Sequence, residues 1–123
     1  MTSMIRGFLA VESGAFYAAA LLHSGWLVPG HAHAKAATAE SVIGTVLLAG
    51  LLTSVLSPAA TRTAGLFAQA FALLGTCIGI FTIAIGIGPR TPVDFALHGG
   101  FIALLVTGLM RAWRGYGSTV RHA

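Results

Sequence analysis

The sequence predicts an all-α integral membrane protein, an up-down bundle of four transmembrane helices. Only 8% of its 123 residues are charged, whereas a soluble domain needs about 25% to cover its surface. Hydrophobic residues make up 56% of the chain, and they are grouped in four stretches long enough to cross a bilayer core of about 30 Å. The lipid bilayer is therefore the expected partner of most of the surface, and a soluble enzyme is excluded.

The four apolar stretches form a single domain, residues 1–123. They cover about 7–28, 37–56, 64–87 and 93–113. Each stretch is continuously apolar, and a backbone in lipid must satisfy its own hydrogen bonds, so we expect helices rather than strands.

Turn-forming residues separate the stretches and fix the topology. The separators are Pro29 and Gly30, then Pro58, then Gly88 and Pro89. The fourth helix should begin with Thr91 as its N-cap, Pro92 as its first residue and Asp94 as its third. Connections this short make neighbouring helices antiparallel.

The basic residues predict the orientation. With the N-terminus inside, five arginines lie on the cytoplasmic side and only Lys35 and Arg90 outside; the five are Arg6, Arg62, Arg111, Arg114 and Arg121. An excess of basic residues marks the cytoplasmic side, so both termini should be cytoplasmic in a bacterial inner membrane. These residues occur singly and form no run, so no nucleic-acid partner is expected.

All three acidic residues lie within or at the ends of the apolar stretches: Glu12, Glu40 and Asp94. An ionisable group within a membrane costs about 2.5–3.5 kcal/mol on insertion scales, so it calls for a partner or a task. His23 follows Glu12 by eleven residues, which places both on one stripe of the first helix about 16 Å apart. His98 follows Asp94 by one turn.

Depth along the helices predicts a polar cluster in the outer leaflet. We expect His23, Glu40 and His98 at one level, with His33 and Asp94 above them. Imidazoles and carboxylates suit a divalent transition metal, and they equally suit a proton relay. A third interpretation is a b-type haem held between His23 and His98.

The inner leaflet should hold a second polar pair, Glu12 with Gln69. A glutamate in the first of four helices is similar to the pattern of small multidrug exporters, which would imply transport that uses Glu12. Small residues at four-residue spacing predict close helix packing. They are Ala10, Gly14 and Ala18 in the first helix and Gly75 and Gly79 in the third.

The segment from Gly65 to His98 resembles the signature half of an uncharacterised family of small bacterial four-helix integral membrane proteins. The likeness rests on a GPRT-x-x-D-x-x-x-H segment that ends at His98, and on Gln69 and Glu40 upstream. No function is assigned to that family. The resemblance implies that Arg90 and Thr91 support Asp94 and His98.

The functional alternatives belong to different classes. One is an ion-binding or proton-relaying membrane protein, and the other is a non-catalytic accessory subunit of a larger respiratory or photosynthetic complex, or a homo-oligomer. An enzyme is not favoured, because the sequence shows no nucleophile-and-base pair and no cofactor-binding loop.

Overall fold

The structure, a computed structural model, describes residues 1–114, so Arg121 lies outside the described part. This part contains four α-helices and no strand. The helices are α1 (Thr2–His23), α2 (Ala34–Leu56), α3 (Thr61–Ala84) and α4 (Pro92–Arg114), and a short 3-10 helix, Pro58–Ala60, precedes α3. The prediction of an all-α fold with four helices is confirmed.

The helix ends differ from the predicted ones most clearly in α1, which begins at Thr2 and ends at His23 rather than covering 7–28. The apolar residues after His23 extend the hydrophobic stretch but not the helix. Gly25 follows with a φ of 79°, a left-handed conformation that terminates helices. The end of α3 is similar, since Gly86 has a φ of 83° just after Ala84.

Consecutive helices pack side by side, and α1 also contacts α4, which closes the bundle. The centre of the bundle is apolar: Leu9, Leu47, Ala72 and Leu105 are fully buried, one from each helix. All four helices are long and apolar enough to cross a membrane, and only 22% to 39% of their most apolar segments is buried inside the bundle. The remaining apolar surface needs an apolar solvent, which fits a membrane protein.

Arginines join the helices at the end of the bundle opposite to His23. Arg6 of α1 donates hydrogen bonds to the hydroxyl and to the backbone carbonyl of Ser54 near the end of α2. Arg62 of α3 donates to the carbonyl of Ala112 near the end of α4, at 3.3 Å. Positive charge at a helix C-terminus satisfies its free carbonyls and complements its dipole.

The small residues that the spacing singled out serve packing in α3 but not in α1. A Cβ atom at Gly75 would come within 2.8 Å of Ile43 Cδ1, so α2 approaches α3 closely at this glycine. The predicted stripe of Ala10, Gly14 and Ala18 is instead exposed on the outside of the bundle. The expectation that this stripe packs within the four-helix bundle is therefore wrong.

Candidate functional site: a buried histidine between two carboxylates

Three helices bring one ionisable side chain each to the same end of the bundle. His23 is the last residue of α1, Glu40 lies in the second turn of α2, and Asp94 is the third residue of α4. The connection between α1 and α2 returns at once, because the backbone N–H of His33 donates to the carbonyl of His23 at 2.7 Å. This bond fixes the register of α2 against α1, which places Glu40 at the level of His23.

The imidazole of His23 bridges the two carboxyl groups. Its Nδ1 lies 2.9 and 2.8 Å from the two oxygens of Glu40, and its Nε2 lies 2.8 Å from Oδ1 of Asp94. His23 and Asp94 are each 1% exposed and Glu40 is 6% exposed. We call these three residues the buried triad.

The bridge can hold its protons in more than one arrangement. Each ring nitrogen needs one hydrogen between itself and its carboxyl partner, and a carboxylate can only accept. Both ring nitrogens donate if the ring is an imidazolium; alternatively, one carboxyl group is protonated and donates to a bare nitrogen. These arrangements differ in the position of one proton and need no movement of a heavy atom.

Thr91 holds Asp94 in the triad. Oδ2 of Asp94 accepts from the backbone N–H and the hydroxyl of Thr91, at 2.7 and 2.6 Å, and the Thr91 hydroxyl lies 3.3 Å from the Asp94 N–H. This reciprocal arrangement is a capping box, which confirms the predicted start of α4. It leaves Oδ1 free to face His23.

His98 lies beside the triad rather than in it. Its Nδ1 is 2.7 Å from the backbone carbonyl of Asp94, and the ring is directed towards α3, where a Cβ atom at Gly79 would come within 2.8 Å of Nε2. The Asp94 carboxylate does not orient this ring, because its two oxygens face His23 and Thr91.

His33 and Arg90 do not join the triad. The Nδ1 atom of His33 accepts a hydrogen bond from the N–H of Ala36 at 3.2 Å, so this ring caps the start of α2. Arg90 is exposed, and within residues 1–114 no ion pair joins it to Asp94.

A cavity of about 180 Å³ adjoins the triad between α2, α3 and α4. Its polar lining residues are His33, Lys35, Glu40, Thr82 and His98. Its apolar lining residues include Phe16, Ile43, Ile83 and Phe101. The predicted cluster therefore divides into the buried triad and a half-buried imidazole, His98, which lines the same cavity as Glu40.

The geometry gives no support to a metal site. Among the described residues, no three His, Cys, Asp or Glu side chains are placed to hold one metal ion together. In His23 both ring nitrogens already face carboxylate oxygens, so neither is bare towards a metal.

A haem between His23 and His98 is not supported either. The same two contacts leave His23 without a nitrogen for the iron, and the cavity is far too small. Its volume, about 180 Å³, is close to that of a cavity of ~150 Å³ that holds benzene. It fits one ring rather than a macrocycle of four pyrroles.

The inner polar pair is confirmed. Nε2 of Gln69 donates to both carboxyl oxygens of Glu12, at 3.0 and 3.1 Å, and both side chains are fully buried. The carbonyl oxygen of Gln69 has no hydrogen-bond partner in the described part of the chain. Gly108 of α4 closes this pair: a Cβ atom there would come within 2.3 Å of Gln69 Nε2 and 2.6 Å of Glu12 Oε1.

Sequence reasoning did not identify the cavity, Gly79 or Gly108 as parts of these sites. The four-residue spacing of Gly75 and Gly79 was a usable signal, because it marks a close approach of another helix. Gly108 had no such signal, since one isolated glycine in a transmembrane helix is common.

No protein family, curated protein or solved structure matches this chain. The resemblance to an uncharacterised family of small bacterial membrane proteins therefore stays a prediction.

Proposed function

We propose that this protein relays protons in a bacterial inner membrane, with the buried triad of His23, Glu40 and Asp94 as the group that takes up and releases them. The proposal rests on the position of the His23 imidazole between two carboxyl groups. An ionisable group buried at a helix end within a membrane protein needs a partner or a task. Here one imidazole touches two carboxyl groups and no other partner competes for its nitrogens.

The chemistry of the triad favours proton exchange over a purely structural role. An imidazole is the side chain whose charge ordinarily changes near neutral pH. Because its two nitrogens are bonded to carboxyl groups from different helices, a proton gained on one side can be released on the other without a change of packing.

The surroundings of the triad supply access for protons. Glu40 lines the cavity as well as contacting His23, so a water molecule in the cavity could exchange a proton with this carboxyl group.

Proton flux into lipid vesicles tests this function. The purified protein is reconstituted into vesicles that contain a pH-sensitive dye, and a potassium diffusion potential is imposed. We expect uptake faster than in protein-free vesicles, with loss of that excess in His23→Gln and Glu40→Gln. His31→Gln, a histidine in the connection between α1 and α2, is the matched control and should keep the flux. Equal rates with and without protein would contradict a relay across the membrane.

We propose both termini on the cytoplasmic side. Arg6 and Arg62 lie at the end of the bundle opposite to the triad, and the excess of basic residues at that end favours the cytoplasmic side. The triad and its cavity then lie in the outer half of the membrane.

A second candidate function, an accessory subunit or a homo-oligomer, is favoured by one observation. Ala10, Gly14 and Ala18 are exposed along one side of α1, and no atom lies within 4 Å of a Cβ built at Gly14. Such a stripe lets another membrane helix approach closely. Migration on native gels distinguishes the two states: an assembly lost in Gly14→Leu supports it, and a monomer that is unchanged by this substitution opposes it.

Transport of the multidrug-exporter kind receives no support from the geometry. Glu12 is fully buried against Gln69, and Gly108 packs directly on both side chains. Glu12 is also not among the residues that line the cavity beside the triad.

A further inference from the structure

The Nε2 atom of His98 is a hydrogen-bond acceptor when the ring is neutral. Its Nδ1 lies 2.7 Å from the backbone carbonyl oxygen of Asp94. A carbonyl oxygen only accepts, so Nδ1 carries the hydrogen. In the neutral ring Nε2 then has a lone pair and accepts, and no residue of the described part donates to it.

The cavity in front of His98 has the size and the wall of a site for one aromatic ring. Its volume is about 180 Å³, slightly above the ~150 Å³ of an apolar cavity that binds benzene. Phe16 and Phe101 line it and stack on each other with their centroids 4.2 Å apart, and the His98 ring lies 6.4 Å from that of Phe101. Aromatic walls favour offset or edge-to-face contact with a further ring.

We propose that this cavity binds a membrane-dissolved phenol, that is, a single aromatic ring whose hydroxyl group donates to Nε2 of His98. The phenolic head group of a quinol belongs to this class. Three properties of the cavity favour this ligand: the volume of one ring, an aromatic wall, and the acceptor nitrogen of His98 beside it. The proposal goes beyond the proton relay, because binding at His98 does not require the triad to exchange protons.

A glycine makes the proposal testable without removing a polar group. Gly79 of α3 lines the cavity, and a Cβ there would come within 2.8 Å of Nε2 and 3.3 Å of Cδ2 of His98. Gly79→Ala therefore covers the acceptor with a methyl group. Gly100→Ala is its matched control, because the new Cβ has nothing within 4 Å.

The experiment is a titration followed by nuclear magnetic resonance, in lipid nanodiscs, of protein carrying 15N-histidine and 13C-methyl isoleucine. The probes are 4-ethylphenol and 4-ethyltoluene, which lacks the hydroxyl group. We expect 4-ethylphenol to shift the His98 Nε2 resonance and the methyl signals of Ile43 and Ile83 in a saturable way. It should bind about fivefold tighter than 4-ethyltoluene, as one hydrogen bond provides.

The variants decide between a phenol site and an apolar gap. Binding should be lost in Gly79→Ala and kept in Gly100→Ala. His98→Leu serves as a second variant if Gly79→Ala does not fold: the isoleucine methyl signals should then show equal affinity for the two probes. No saturable shift in the unaltered protein, or equal affinity for both probes there, would overturn the proposal.

Discussion

At the scale of single residues, the protein places carboxyl groups where they are costly and gives each a specific partner. Glu40 and Asp94 share His23, and Glu12 has the amide of Gln69. The two arrangements differ in chemistry. An imidazole can accept and release a proton near neutral pH, whereas an amide only donates and accepts hydrogen bonds. The first suits proton exchange, and the second holds one carboxyl group in place.

The contact between Glu12 and Gln69 predicts a non-additive effect on stability. Gln69→Leu leaves the Glu12 carboxyl group buried without a donor, which should lower the free energy of unfolding by about 1–3 kcal/mol. The double variant with Glu12→Leu replaces both partners by apolar groups and should be more stable than Gln69→Leu alone. Unfolding in detergent by titration with dodecyl sulfate, followed by circular dichroism, measures the stability of Gln69→Leu, of Glu12→Leu and of the double variant.

Additive losses of stability would contradict this prediction. If the double variant loses the sum of the two single losses, the side chains do not interact, and the bond between Gln69 and Glu12 has no energetic role.

The sequence predicts the depth of each polar side chain in the bundle, but not the direction in which each side chain points. Spacing along the helices places Glu12 near Gln69, and His23 near Glu40, because helical rise gives depth directly. It could not decide whether Asp94 or His98 faces His23, since the two are one turn apart on α4. The decision depends on the Thr91 capping bonds, which aim Asp94 inward, and on side-chain rotation, which hydropathy does not encode.

At the scale of the helices, composition predicted the number and type of elements, and local backbone conformation decided their ends. The first apolar stretch continues through Trp26, Leu27 and Val28, but Gly25 has already turned the chain. Trp26 is 87% exposed, as suits an aromatic residue at a membrane interface. Hydropathy reports which residues prefer lipid to water. It therefore gives the ends of an apolar stretch and not the ends of the hydrogen-bonded helix.

The close approach of α4 to the inner polar pair predicts different effects for two glycines of the same helix. Gly108→Ala places a methyl group against Gln69 and Glu12 and should cost about 1–3 kcal/mol by overpacking. Gly100→Ala meets no neighbour and should be neutral or stabilise by up to about 1 kcal/mol through helix propensity. Thermal unfolding of both variants in micelles checks the difference, and equal stability would contradict the packing at Gly108.

At the scale of the whole molecule, the bundle is apolar outside and has polar groups at separate depths inside. Its fold could be predicted because ten charged residues cannot cover a water-soluble surface. The cavity beside the triad could not be predicted, because it depends on how Gly79 and His98 fit between α3 and α4. The three residues of the buried triad come from three helices and link the ends of α1, α2 and α4.

Proton exchange at the triad is tested most directly by measuring the protonation of the His23 ring by nuclear magnetic resonance, in protein labelled with 15N-histidine in nanodiscs. Five histidines give signals, and His23→Gln identifies the signal of His23. We predict that its ring nitrogens change between two protonation states over the pH range in which the bundle stays folded, since an imidazole is the side chain whose charge ordinarily changes near neutral pH, and that Glu40→Gln alters this change. A His23 ring that keeps one protonation state throughout that range would contradict proton exchange at the triad.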